Sequence, residues 1–208
     1  MYEEACTKLH QVLNSLSRYT FPQLSEELPS DGVSFLFESG EKGHGGERIV
    51  HIGSHTGEGK LASRLREHVS LNKDRSIFRK HLGRAMLQRD GDPYLAIWNL
   101  DFTTRKTRED HGHRIESGKQ EAIEEAVSKY IETKFTVSVL PTGDSNEALR
   151  LKELCIGTVS SCSLCSPSFN WLGKHADPRI AQSGLWQIQN LYGKGLGDAD
   201  LLLKQPPV

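Results

Sequence analysis

Apolar positions recur at helical spacing over residues 3–19, where Leu9, Val12, Leu13 and Leu16 share one face. Glu3 and Glu4 open this segment and Arg18 closes it, in keeping with a helix dipole. Pro22 and Pro29 bracket an irregular connection. GVSFLFE at 32–38 then predicts a buried strand and RIVHIGS at 48–54 a second. Between them SGEKGHGGE carries glycines at 40, 43, 45 and 46, which predicts a hairpin loop longer than the tightest turns. Helical patterns follow over KLASRLREHV, with Leu61, Leu65 and Val69 on one stripe, and over residues 75–87. YLAIWNL at 94–100 reads as β-prone or buried, and the polar REDHGHRIESG as a loop. EAIEEAVSKYIETKF predicts a helix with Ile123, Val127, Tyr130 and Ile131 toward the core. FTVSVLP at 135–141 is the third strand. Ser145 is a candidate N-cap for a last helix through Leu149, Leu154 and Ile156.

The expected fold is α/β, a small, mostly antiparallel three-stranded sheet surrounded by helices. One domain is expected across 1–208: an N-terminal helix and connection over 1–28, a core over 29–161 and an irregular C-terminal extension over 162–208 packed on it. A chain of 208 residues is long enough for a substantial core. Trp171 and Trp186 are expected to pack that extension rather than to stack on bases.

Composition narrows the function classes. No apolar run is long enough to span a membrane, and the acidic start MYEEACTKLHQ does not resemble a signal peptide. Cys6, Cys155, Cys162 and Cys165 make a poor disulfide framework, so a reducing, cytoplasmic compartment is expected. The single C-x-x-C at 162–165 needs two further ligands to hold zinc, which Cys155 and His175 could supply; ordinary thiols are the simpler reading. The formal net charge of −1 argues against a generally basic coat. It conceals an uneven distribution, because residues 48–114 hold 14 Lys+Arg against 8 Asp+Glu, or +6, and the rest is −7. A basic face is therefore expected beside the second strand, without an overall preference for nucleic acid.

The segment HIGSHTGEGKLASRLREH at 51–68 concentrates the chemistry. Gly53 ends the strand where a missing side chain permits close approach. Arg64 and His68 are four residues apart and project from one helical face. A guanidinium suits a phosphodiester, because it makes paired hydrogen bonds to phosphate oxygens and stabilises charge developing on them. A histidine can position or move a proton near neutral pH.

These residues carry a resemblance to the GIY-YIG nuclease family. GVS at 32–34 stands where that family has its first tripeptide, and HIG at 51–53 stands where it has the second. Leu61, Arg64 and His68 match its first helix. Arg150, Glu153 and Ile156 match the R-x-x-E-x-x-I pattern of its metal-binding helix, whereas Glu124 and Glu125 precede the third strand and do not fit. SIFRKHLG and SPSFNWLGKHADPRIAQSGLWQIQNL are similar to segments of a bacterial GIY-YIG subgroup with a PS-x-NWLG stretch. Asn170 stands where some restriction endonucleases of the family have a functional asparagine. The resemblance covers roughly 32–192.

The resemblance implies a metal-dependent endonuclease that hydrolyses DNA, with Glu153 holding Mg²⁺ or Mn²⁺ and Arg64 stabilising the phosphate. No organic cofactor is implied. Both family tyrosines are replaced, the first by Ser34 and the second by His51. A serine hydroxyl cannot act alone as the base that the first tyrosine provides. His51 or His55, helped by His68, takes that role, or activity is weakened or lost. Arg75, Arg79, Lys80 and Arg84 lie along one broad helix face and could track a DNA backbone. The alternatives are a nuclease-derived nucleic-acid-binding module without cleavage, and a zinc-stabilised interaction protein.

Overall fold

Alternation along 32–38 sends Val33, Phe35 and Phe37 to one side of a sheet and Ser34, Leu36 and Glu38 to the other. All six are buried, so both faces of this strand are covered. The computed structural model describes residues 2–21, 24 and 28–197. The expected connection through Pro22 and the end of the chain from 198 on lie outside the described residues.

The first helix, α1, spans Tyr2–Ser15, and the strand β1 is Tyr19–Thr20. β2 runs over Gly32–Gly43 and β3 over Gly46–Gly53, followed by α2 at Leu61–Arg66 and α3 at Ile77–Arg89. α4 (Leu95–Trp98), α5 (Arg105–His111) and α6 (Ser117–Lys134) lead to β4 at Phe135–Pro141. α7 (Ser145–Ser160) and α8 (Pro178–Ser183) complete the order. The antiparallel sheet has the order β1-β4-β2-β3. α1 and α7 cover the face of Val33, Phe35 and Phe37, with Cys6, Leu9, Leu13, Leu151 and Ile156 in that core. The other face packs Leu36 and Val50 against Leu65, Phe78, Leu82, Trp98, Val127 and Ile131.

Five expectations change. The sheet has a fourth strand, because the chain leaving α1 pairs Tyr19 with Val137 and Thr20 with Thr136. Two residues carry no alternation by which a strand could be read. The glycine-rich loop is two strands joined by a tight turn at His44 and Gly45, whose φ angles are 51° and 79°. That is the left-handed conformation of a type I′ hairpin, which Gly45 supplies at no steric cost. Residues 94–100 form the helical turn α4, because a short apolar run does not distinguish strand from helix. Asp92 starts it by accepting from the Tyr94 N–H at 2.8 Å. The expected polar loop at 108–118 begins inside α5, which buries nothing and is started by Thr104, whose side chain accepts from the Thr107 N–H. The N-cap of α7 is Asp144 rather than Ser145; its carboxylate accepts from Asn146 and Glu147.

β3 is a sheet edge, and the C-terminal extension covers it. The Trp186 N–H donates to the Val50 carbonyl at 2.7 Å, and the Ile52 N–H donates to Gln187 Oε1 at 2.9 Å. Unpaired edge groups are thereby satisfied. A buried polar girdle holds the extension in place. Glu38 Oε2 accepts from Trp171 Nε1 at 2.8 Å and from Trp186 Nε1 at 2.9 Å, while its other oxygen takes the Tyr130 hydroxyl. The Arg48 guanidinium pairs with Glu41 at 2.6 Å and donates to the Gly184 carbonyl at 2.5 Å. The tryptophans therefore pack the extension, as expected, and also donate to a buried carboxylate.

Candidate active site

β2 and β3 end side by side, with Ser34 paired to Gly53. A pocket of about 310 Å³ opens there, lined by Ser34, His51, Gly53, Arg64 and His68 together with residues from α3, α7 and the extension. A Cβ on Gly53 would stand 2.8 Å from Ser34 Oγ and 3.6 Å from His51 Nε2. The glycine thus leaves both polar atoms facing an open space. A bulge in β3 sets this geometry: Leu36 faces His51 and Phe37 faces Ile49, so Val50 is the extra residue.

Three histidines border the pocket in neutral form. His51 Nδ1 lies 3.1 Å from the Trp186 carbonyl, which can only accept. The ring proton is therefore on Nδ1, and Nε2 keeps its lone pair. Burial lowers the His51 pKa to about 3. Burial likewise holds His68 well below its ordinary value, with His51 and Arg64 adding to the effect. His68 Nδ1 lies 2.7 Å from the hydroxyl of Ser76, the N-cap of α3, so one serine starts the helix and orients the ring. The His51 and His68 rings are perpendicular with centroids 5.9 Å apart. His81, from α3, is the third; its Nδ1 faces Arg84 Nη1 at 3.4 Å. A guanidinium only donates, which puts the His81 proton on Nε2. That buried Nε2 has no partner among the described residues, and burial lowers the His81 pKa to about 4.

Two cations complete the wall. Arg64 is half-buried, donates to the Arg75 carbonyl at 3.0 Å and pairs with Glu67 one turn on. Lys152 projects from α7 beside it, and burial lowers its pKa. Arg64, Lys152 and Ser54 also border a neighbouring hollow of about 570 Å³ that includes Lys60. Glu153, exposed on α7, is linked to the pocket by Asn190, whose Nδ2 donates to its Oε1 at 3.3 Å. Among the described residues no carboxylate lines the pocket itself. One accessible carboxylate at its rim fits a hard cation such as Mg²⁺, which retains waters and takes few protein ligands.

The sequence pattern omits Lys152, His81, Gln187 and Asn190. Only Lys152 left a signal, its place beside Glu153 on the same helix. The structure places His55 at the neighbouring hollow with Ser54, Arg64 and Lys152 rather than in the pocket, and does not bring Asn170 to either. His55 Nε2 accepts from the Gly32 N–H at 3.3 Å and Nδ1 donates to the Gly57 carbonyl at 2.9 Å, so the ring braces the turn after β3. Asn170 is exposed and precedes Trp171, which binds Glu38 toward the other end of the sheet.

The basic track expected from Arg75, Arg79, Lys80 and Arg84 does not form, and Arg75 precedes α3. Arg79 is fully buried, pairing with Glu124 at 2.6 Å and donating to Ser128 Oγ at 2.8 Å. Lys80 is buried against Asp74 and the Leu100 carbonyl. Arg84 is bound to Asn99 at 2.6 Å, leaving Arg75 exposed. α3 packs directly on the core through Phe78 and Leu82, and its cations turn inward where the carboxylates of Glu124 and Asp74 meet them. Glu41 and Glu124 lie outside residues 48–114, so the +6 of that segment overstates its surface charge. The alternative zinc set with Cys155 and His175 does not assemble: His175 is exposed, and the cysteines of the C-x-x-C meet Cys6 and His44 instead of Cys155.

Comparison with curated proteins and with solved structures gave no match. The GIY-YIG domain model matches residues 2–197, nearly the whole chain. With the two tripeptide positions paired in adjacent strands and Arg64 and His68 beside them, the chain belongs to the GIY-YIG domain family.

Proposed function

We propose that this protein is a divalent-metal-dependent endonuclease that hydrolyses DNA phosphodiester bonds. The observation that carries the reading is the meeting of Ser34, His51, Arg64 and His68 around one pocket left open by Gly53. The family points to nuclease-type chemistry, and the cationic, carboxylate-free wall suits an anionic phosphate.

In this reading Arg64 and Lys152 bind the phosphoryl oxygens and stabilise the charge that builds on them during attack. The His81 Nε2–H donates a further hydrogen bond to the same group. His51 keeps its Nε2 lone pair toward the pocket, whereas the lone pair of His81 faces Arg84, and His51 accepts a proton from the attacking water at Nε2. Its low pKa in the empty pocket rises when an anionic phosphate sits beside it, because an opposite charge favours the imidazolium. His68 holds the ring of His51 in place across a perpendicular contact. Ser34 hydrogen-bonds substrate or water without supplying the base. Glu153, steadied by Asn190, would hold the cation, and a bound Mg²⁺ or Mn²⁺ would supply Lewis-acid stabilisation of the phosphate and the departing oxygen.

Incubation of the protein with plasmid and Mg²⁺ or Mn²⁺ tests this. Nicking or linearisation by the wild type is expected, with loss in Arg64→Ala and in Glu153→Ala. Cleavage that survives unchanged in both variants overturns the reading. One observation favours a second reading, a DNA-binding module without cleavage: no tyrosine lines the pocket. Retarded DNA with no cut product across several metals and substrates would establish it instead.

A further inference from the structure

A second cluster of reactive side chains lies at the opposite end of the β2–β3 hairpin from the pocket. Cys6 comes from α1, His44 from the hairpin turn, and Cys162 and Cys165 from the segment after α7. Residues separated by more than a hundred positions in sequence therefore converge. Their ligand atoms all lie within 4.8 Å of one another. Cys6 Sγ stands 3.4 Å from Cys165 Sγ, and Cys162 Sγ stands 3.4 Å from His44 Nε2. A tetrahedral zinc ion with Zn–S near 2.3 Å and Zn–N near 2.0 Å sets such edges at roughly 3.5–3.8 Å. The four atoms need to shift by only tenths of an ångström for the short edges and about an ångström for the longest.

The surroundings prepare the histidine as a ligand. The Thr7 hydroxyl gives its one proton to the Glu3 carbonyl at 2.7 Å, and its oxygen lies 2.8 Å from His44 Nδ1. The oxygen can then only accept, so Nδ1 carries the ring proton and Nε2 turns its lone pair toward Cys162. This is the outer contact by which metal-binding histidines are fixed. The left-handed φ of 51° at His44 puts the ring on the correct side of the turn. His10 stacks on His44 at 4.7 Å but is not a ligand: Nδ1 donates to the Cys6 carbonyl and Nε2 accepts from the Ile49 N–H. None of the four cysteines is in a disulfide, and Cys6, Cys162 and Cys165 are buried.

We propose that Cys6, His44, Cys162 and Cys165 form a structural Cys₃His zinc site. Three thiolates and an imidazole are soft and borderline donors that select zinc over the Mg²⁺ suited to Glu153. As the three Zn–S bonds form, the three thiol protons pass to solvent and no electron moves. The four ligands close the tetrahedron, which makes the site structural rather than catalytic. It ties α1 and the hairpin turn to the start of the segment whose Ser168 and Trp171 anchor the extension on Glu41 and Glu38. Metal binding and folding of these three parts are then linked.

Elemental analysis of the full chain, purified under reducing conditions without chelator, should find about one zinc per molecule. Cys162→Ser and His44→Ala should each lose it, whereas Cys155→Ser, His175→Ala and Glu153→Ala should retain it. The Glu153 result separates this site from the one proposed for cleavage. If the ligand variants fail to fold, cobalt titration of metal-stripped wild type is decisive. Thiolate-to-cobalt charge transfer with the visible bands of a tetrahedral ion, both lost on adding zinc, support the site. Absence of zinc together with absence of those bands overturns it. So does a Cys6–Cys165 disulfide in protein that has been kept reduced, or zinc that persists undiminished in a folded Cys162→Ser, His44→Ala double variant.

Discussion

The middle of the β2–β3 hairpin and its open end both bury polar groups, yet they treat them oppositely. In the middle, Glu38, Glu41 and Arg48 face partners that match them nearly atom for atom: two indole N–H groups, a phenol, a serine and a backbone carbonyl. At the open end, His51 keeps a lone pair toward the pocket and His81 keeps an N–H with no partner. A satisfied buried network specifies the scaffold, because any loss leaves a desolvated group behind. A neutral imidazole with an uncommitted nitrogen costs less to bury than an ion, and it retains a site for a ligand. Arg79 and Arg64 repeat the contrast. The first spends every contact on the Glu124 carboxylate, Ser128 and the backbone carbonyls of His68 and Glu124; the second sits at the pocket wall.

The largest effect should come from breaking the middle. Glu38→Ala strands two indole N–H groups and should destabilise the fold by about 4 kcal/mol, at 1–3 kcal/mol for each unsatisfied group. Glu38→Gln can still accept from both indoles, so its urea midpoint should stay near wild type. If Ala and Gln behave alike, the network is not what secures the extension.

Next in size is the open end. Arg64→Ala should lower DNA cleavage by roughly 10²–10³, about 3–4 kcal/mol of transition-state stabilisation, with little change in thermal midpoint. An equal loss of stability would show that Arg64 belongs with the scaffold.

Acidification tests the histidines as a group. His51 and His81 have folded pKa values of about 3 and about 4, below the ordinary histidine value, and His68 is lowered too. The unfolded chain therefore binds more protons below about pH 6.5. Stability should be full above that pH and fall as pH drops toward 4, by up to about 2 kcal/mol per histidine between pH 6.5 and 5. Urea unfolding at pH 7, 6 and 5 measures this, and His68→Gln should flatten the slope. A slope unchanged by that substitution would place the sensitivity elsewhere.

The smallest effect is expected at His81. His81→Leu removes one donor from the pocket and should raise the KM for DNA about tenfold, near 1.4 kcal/mol, while kcat changes little. It should also leave the fold slightly more stable, since an unpartnered buried N–H disappears.

Periodicity alone determined much of this protein. The buried run at 32–38, the segment at 135–141 and the stripe of Val127 and Ile131 announce their elements because burial repeats along a regular backbone. Gly53, Arg64 and His68 were legible as a site because one helical turn and one strand end fix their relation. Only the tertiary structure decided the rest. It turned Arg79 and Lys80 inward, because Glu124 and Asp74 arrive from other parts of the chain. It placed His55 at the neighbouring hollow, left Asn170 outside, and lined the pocket with Lys152, His81 and Asn190, whose neighbours in space are distant in sequence. It also exchanged the partners of Cys162 and Cys165, since α1 and a two-residue turn meet only once the sheet has formed. Regular elements are local and write themselves into spacing; charge pairing, edge covering and ligand convergence are long-range, and no spacing records them.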